Sequence, residues 1–368
     1  MIDAGEFAPI YSQQGEIKFE ALLESFHQMQ YDAISIGTRE MLMQRDTYNA
    51  LQKAKASRVP LATLNVSFQG TRLCSKPLIL RRGGVSIGIV SFFVGGHIPE
   101  AAKMYWALDA SEKTALEQLA YARKNADLIV AMLHGDMSQT SAFVKRHKGI
   151  DIVILSHCLA ELKTPVNIDD SLLLCAGSEG QYLGRVDVYR TGGTWSFANK
   201  LIPLDQTVPG DPLLISTYAR YLERVAQLSK ELTKKHDEEV AAQFPPVLRA
   251  TDCQSCHSDI YNTWKETPHA HAIESLIETN EHQNPECIIC HTTYYLKGGF
   301  VSWGKTPEYA GIQCTQCHGR MEGHIEFQSG TSQKENAPPV VNQDLCLQCH
   351  TPDQDDGFNF ERDKKLVH

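Results

Sequence analysis

The chain has 368 residues, 42% of them apolar, and a formal charge of −9. That length supports two or three domains with sizeable cores. The acidic balance excludes a basic nucleic-acid surface and argues against adsorption to anionic lipid, and no run reaches the roughly 18 consecutive apolar residues of a membrane helix. The eleven cysteines are unevenly spread: Cys74, Cys158 and Cys175 precede residue 250, and the other eight fall in pairs between Cys253 and Cys349. The chain changes character near residue 250.

The first two hundred residues alternate buried strand runs with amphipathic helices. A strand opens the chain at Asp3-Ala4-Gly5-Glu6. Helices are expected over 19–28 and 112–124. Strands are expected over 31–37, 85–93, 127–134, 151–157, 172–175 and 183–189. The alternation argues an α/β domain. Ligands of such domains sit where strands end, so His134 and His157, each closing a strand run, occupy functional positions. The plain alternative is that both are hydrogen-bonded or exposed at strand ends. Cys74, Cys158 and Cys175 read as small buried hydrophobes. Cys158 and Cys175 follow neighbouring strands, where two free thiols are expected in preference to a disulfide.

This order resembles the calcineurin-like metallophosphoesterases of the 5′-nucleotidase branch. Asp3-Ala4-Gly5-Glu6 stands where that family has D-A-G-D, and Gly37-Thr38-Arg39-Glu40 where it has G-N-H-E. His134 matches the histidine after the next strand, and Ser156-His157-Cys158-Leu159 stands where the family has G-H-x-H. Cys175-Ala176-Gly177 and Tyr182-Leu183-Gly184-Arg185 extend the match over 1–204. The resemblance implies a sandwich fold and a site of two metals bridged by a carboxylate and completed by His and Asn. The departures are severe. Thr38 holds the Asn position, Arg39 the catalytic histidine position and Leu159 a ligand position, and the opening D-x-H motif would precede residue 1. Glu6, His134 and His157 remain, with Arg39 adding positive charge to a cation site. The domain is read as a degenerate phosphoesterase, a pseudoenzyme retained as a scaffold or docking module. A mononuclear site at His134 and His157 is the lesser alternative. The chain is expected to begin inside a longer precursor that supplied an export signal, or to derive from a truncated gene model.

A proline-punctuated loop at 203–212 leads into a linker, 205–249. From residue 213 to about 243, Leu214, Tyr218, Tyr221, Leu222, Val225, Leu228 and Leu232 recur at helical spacing. The charged stretch 230–239 is expected to be solvated, His236 with it in preference to reaching a haem, and Pro245-Pro246 ends the helix.

Residues 250–368 carry Cys253-Gln254-Ser255-Cys256-His257, Cys287-Ile288-Ile289-Cys290-His291, Cys314-Thr315-Gln316-Cys317-His318 and Cys346-Leu347-Gln348-Cys349-His350. Each is the c-type haem attachment pattern. Two thiols on one helical turn reach both vinyl groups of a porphyrin, and the adjacent histidine becomes the proximal iron ligand. Zinc would use cysteine pairs two at a time and gives no reason for four histidines to follow directly. Chance supplies only ~0.01 such matches in a chain of this composition. Four covalent haem c groups are therefore expected, and they must be the core of so short a segment. His269, His271, His282, His324 and His368 are the remaining histidines available as second axial ligands.

The run Cys253-x-x-Cys256-His257-x-x-x-Tyr261-x-x-Trp264-x-x-Thr267-x-His269-Ala270 resembles the tetrahaem cytochrome c-554 family. So do Gly311-x-Gln313-Cys314-x-x-Cys317-His318-Gly319 followed by His324, and Cys349-His350-Thr351-Pro352-Asp353 followed by Phe358-x-Phe360 and His368. The resemblance covers 251–368 and implies distal ligands at His269, His324 and His368. It also implies that one haem can lack a protein distal ligand, here expected to be that of His291. Tyr261 and Trp264 read as packing residues.

The expected architecture is a degenerate metallophosphoesterase-like sandwich, a linker helix and a mostly α or irregular tetrahaem cytochrome domain. The expected function is electron carriage in the periplasm or outside the cell, with redox proteins as partners. The alternatives are an oxidoreductase acting on a small nitrogen or sulfur compound at an open haem, and a structural subunit of a haem-stacked filament or other homo-oligomer.

Overall fold

The apolar run over 128–134, buried at every residue, is a central strand of a six-stranded sheet in the computed structural model. The described residues are 1–43, 60–95, 98–156, 158, 160–333, 339–351, 354–355 and 357–367. They fall into two units, Met1–Ala219 and Arg220–His368.

In the first unit, strands β1 (Ile2–Asp3) and β2 (Ala33–Ile34) pair in parallel. Helix α1 (Gln13–Gln28) lies between them, its N-terminus capped by the Ser12 hydroxyl and its buried face made by Phe19, Leu23 and Phe26. Short helix α2 (Thr38–Leu42) follows β2. Strands β3 (Val66–Phe68), β4 (Thr71–Arg72) and β7 (Trp106–Leu108) form a small antiparallel sheet. The main sheet contains β5 (Leu78–Arg82), β6 (Val85–Phe93), β8 (Leu128–His134), β9 (Ile152–Leu155), β10 (Val166–Ile168) and β11 (Ser171–Leu174). Its order is β10-β11-β9-β8-β6-β5, parallel in the middle and antiparallel at both edges. Parallel bridges at Ile34–Leu61 and Thr63–Ser91 relate β2 to β6.

Helix α3 (Glu112–Asn125) and helix α4 (Met137–Arg146) cover one face of the sheet, burying Leu119, Ala122 and Val144 against Val90, Leu133 and Val153. The other face meets a long hairpin, β12 (Tyr182–Thr191) and β13 (Thr194–Pro203), through Val186, Val188, Trp195 and Phe197. Coverage of both faces is why β8 reads as a continuous apolar run, whereas β13 alternates between half-buried and exposed positions. The α/β expectation holds. The short strands β3, β4, β7 and β10 carry too few residues for a period to register in sequence.

Helix α5 (Pro212–Lys235) contains the division between the units and ends in irregular turns from His236 to Gln243. Beyond it the second unit has only short helices: α6 (Ala250–Cys253), α7 (Ser258–Trp264), α8 (Ala272–Glu278), α9 (Pro285–His291), α10 (Cys314–His318), α11 (His324–Gln328), α12 (Gln343–Cys346) and α13 (Phe360–Asp363). Its apolar cluster is small, centred on Val247, Ile288, Phe300 and Tyr309.

Two expectations are corrected. Cys158 and Cys175 are joined as a disulfide, with Cα atoms 6.5 Å apart. The backbone bond from Leu162 N–H to the Cys175 carbonyl returns the loop after β9 to the end of β11, bringing the two thiols together. His236 is buried rather than solvated. It lies four residues after Leu232, continuing the inward stripe of Tyr221, Val225 and Leu228, so the surrounding charges mark the opposite face.

Candidate functional site

Each C-x-x-C-H motif forms a single helical turn. His257 N–H donates to the Cys253 carbonyl at 3.0 Å, and His350 N–H to the Cys346 carbonyl at 2.9 Å. The second and third motifs lie wholly in α9 and α10, and Asn284 caps the start of α9. This geometry puts both thiols and the imidazole of a motif on one side of the turn. Unmodified cysteine is among the most buried residue types. Here none of the eight motif cysteines is fully buried. Half-open sulfurs on a unit with so small a core are what a covalently attached porphyrin requires, and the residues fit that group.

The histidine tautomers fit as well. His291 Nδ1 lies 2.6 Å from the Ala272 carbonyl oxygen, and His350 Nδ1 lies 2.8 Å from Asp355 Oδ2. A carbonyl or carboxylate only accepts, so each Nδ1 donates and each Nε2 is left to ligate. His269 is half-buried, and its ring centroid lies 5.9 Å from that of His350. Two imidazoles on opposite faces of one metal, each bonded at about 2 Å, have centroids roughly 6 Å apart. Burial and then neighbouring His350 push the pKa of His269 down, favouring the neutral ligand form. His324 begins α11 and is half-exposed.

The other histidines differ among themselves. His271 is exposed, with Nδ1 on Glu274 at 2.7 Å and Nε2 on the Lys265 carbonyl at 2.9 Å, so both ring nitrogens are engaged. His282 borders a cavity of about 540 Å³ together with Lys230, Phe300 and Trp303, and its Nδ1 has no hydrogen-bond partner among the described residues. His236 Nδ1 lies 3.7 Å from Asp237 Oδ1, and neither of its ring nitrogens has a hydrogen-bond partner among the described residues. His368, Pro352 and Asp353 lie outside the described residues.

The motifs associate in pairs. Cys253 and Cys314 adjoin, each perturbing the other's thiol so that Cys314 is pulled down and Cys253 pushed up, and Cys290 and Cys349 do the same, with Cys290 pulled down; Cys290 Sγ also lies 3.8 Å from the Gln348 carbonyl of motif four. Around the first pair, Ala250 N–H donates to Gln313 Oε1 at 2.8 Å and Trp264 Nε1 to the Ile312 carbonyl at 2.9 Å. Trp264 thus packs motif one onto the approach to motif three. Gly311, at φ +81°, is required there: a Cβ would sit 2.3 Å from the Ala270 carbonyl oxygen.

The strand ends of the first unit gather the phosphoesterase-like residues. Glu6 Oε1 accepts from the Thr38 backbone N–H and from Thr38 Oγ1 at 2.7 Å, and lies 3.4 Å from His134 Nδ1. His134 is buried at the end of β8, with Nδ1 also 3.2 Å from Ser156 Oγ. Arg39 Nε is 3.9 Å from Glu6 Oε2, so the guanidinium adds its charge beside the carboxylate. Glu40 is fully buried and accepts from the backbone N–H groups of Glu6, Ala8 and Gly37. Burial first, and Glu6 second, raise its pKa to about 7. Burial likewise raises Asp3 to about 6. Among the described residues no three His, Cys, Asp or Glu side chains are grouped to hold a metal ion. His157 and Leu159 lie outside the described residues.

Residues 252–319 match the family model of cytochrome c554 and c-prime. Cytochrome c-554 of Nitrosomonas europaea is 31% identical, over 27% of this chain and 54% of the relative, so the chain spans about half the length of the curated protein it matches. Among solved structures, the sulfate thiohydrolase SoxB of Thermus thermophilus aligns with a TM-score of 0.53 at 18% identity, covering 61% of this chain and 42% of that one. A 5′-nucleotidase precursor of Thermus thermophilus aligns with a TM-score of 0.50 at 17% identity, covering 62% and 50% respectively. These likenesses give the fold of the first unit. The chain therefore joins a domain whose fold is similar to that of 5′-nucleotidases to a segment that matches the cytochrome c554 and c-prime family model over 252–319.

Proposed function

We propose that the chain is a tetrahaem c-type cytochrome that carries electrons outside the cytoplasm. The observation that carries this reading is the set of four C-x-x-C-H turns, each with half-open thiols and a histidine on the same side. Haem c at these sites supplies reversible one-electron chemistry. Cys253, Cys256, Cys287, Cys290, Cys314, Cys317, Cys346 and Cys349 would hold the porphyrins. His257, His291, His318 and His350 would be the proximal ligands, and His269, His324 and His368 distal ones. The nearness of His269 to His350 supports one such axial pair. The paired thiols of motifs one and three, and of two and four, support short separations between attachment points.

Export is supported by the Cys158–Cys175 disulfide, since disulfides persist in oxidising compartments. No helix among the described residues is long and apolar enough to cross a membrane. The first unit serves as scaffold or docking module for redox partner proteins or for further copies of the chain. Loss of phosphoesterase chemistry is supported by Thr38 and Arg39, which engage Glu6 where the related fold needs metal ligands.

Intact mass measurement under denaturing conditions tests the haem count. The polypeptide should be heavier by four haem masses and should retain its haem in acid-acetone. Zinc in place of haem, or haem that extracts, would overturn the reading.

A further inference from the structure

The hydrogen bond between His350 and Asp355 gives the last motif a carboxylate partner on its proximal imidazole. In motif two the equivalent Nδ1 of His291 meets a neutral group, the Ala272 carbonyl, with Ser275 Oγ farther off at 3.4 Å. The difference has an electronic consequence. A carboxylate draws the Nδ1 proton toward itself and increases the negative character of the ring. A more basic axial ligand stabilises ferric over ferrous iron and lowers the reduction potential.

The arrangement around His350 is built rather than incidental. Asp355 is anchored by its own N–H, which donates to the Thr351 carbonyl at 2.8 Å. Phe358 N–H donates to the Asp355 carbonyl at 3.3 Å, and the Phe358 ring stacks on His350 with centroids 4.6 Å apart and an 18° interplanar angle. The cation nearest in sequence, Arg362, is hydrogen-bonded to Asp363 and to the Gly357 carbonyl, and its charge also reaches Asp355, while the Asp363 carboxylate faces His350. The His350 ring is thus held on one face by Phe358 and at Nδ1 by Asp355, while His269 lies 5.9 Å away.

We propose that Asp355 is a positioning residue that lowers the potential of the haem attached at Cys346 and Cys349 below that of the haem attached at Cys287 and Cys290. This rests on the tetrahaem reading and adds a direction to it. Electrons entering at the fourth site run downhill toward the second, whose Cys290 Sγ lies 3.8 Å from the Gln348 carbonyl within motif four.

The test is redox titration of the full haem-loaded chain, followed optically and by paramagnetic resonance, for the wild type, Asp355→Asn and Asp355→Glu. In Asp355→Asn one haem should rise in potential by at least a tenfold change in its one-electron equilibrium constant, 59 mV. The other haems, the haem count by mass and the low-spin signals should be unchanged. Asp355→Glu should restore most of the shift. An Asp355→Asn protein with four attached haems and unmoved potentials overturns the proposal. So does selective loss of one haem, which would assign the residue to attachment. A wild type without covalent haem at Cys346 and Cys349 overturns both this proposal and the reading it rests on.

Discussion

Replacing Glu40 by Gln should remove one pH-dependent part of the first unit's stability. Glu40 Oε2 accepts from Glu6 N–H at 3.1 Å and Gly37 N–H at 2.7 Å, and Oε1 accepts from Ala8 N–H at 2.7 Å. A glutamine must turn its NH₂ toward at least one of these donors, at a cost of about 1–3 kcal/mol. Against this stands the charge. Burial holds the folded pKa at about 7, against an ordinary 4.5. An acid whose folded pKa is raised stabilises the fold fully below its unfolded pKa and loses that contribution as pH rises through the folded one. The loss is about 3 kcal/mol between pH 4.5 and about 7. Glu40→Gln removes this dependence. Urea unfolding followed by circular dichroism should show the variant less stable near pH 4 and about level with the wild type near pH 8. A stability gap that stays constant over that range would refute the reasoning.

Two further outcomes follow from the sites. Phosphomonoesterase and nucleotidase assays with added Mn²⁺ or Zn²⁺ should stay at background, because Thr38 and Arg39 engage Glu6 in place of metal ligands; robust hydrolysis abolished by His134→Ala would show a living site. His324→Ala should convert one haem to high spin or shift its potential while leaving the other three nearly untouched, and an unchanged spectrum would remove His324 from the ligand set.

What could be read in sequence depended on whether chemistry or packing wrote the signal. The four motifs were legible because covalent attachment fixes the spacing of two thiols and a histidine within one turn. The runs that became β6, β8 and β9 were legible because strands covered on both faces are apolar at nearly every position. Thr38 and Arg39 stood out in sequence by residue type, and the structure places both beside Glu6. The Cys158–Cys175 disulfide was not legible, since it depends on the loop after β9 folding back to the end of its neighbour β11, a return that strand order alone does not fix. His236 was hidden by its charged neighbours, although its four-residue step from Leu232 was a usable sign. The carboxylate on His350 was missed because Asp355 lies in an irregular turn, where spacing alone predicts no contact.

The most direct test of an electron carrier is the spin state and axial ligation of each iron, measured by paramagnetic resonance on the purified, haem-loaded chain. Bis-imidazole iron is low-spin in both oxidation states and closed to substrates, as fast carriage requires. At least three low-spin haems with paired histidine ligands are expected, one of them lost in His269→Ala. Two or more high-spin haems in the wild type would contradict the assigned ligands and point to chemistry at open irons instead.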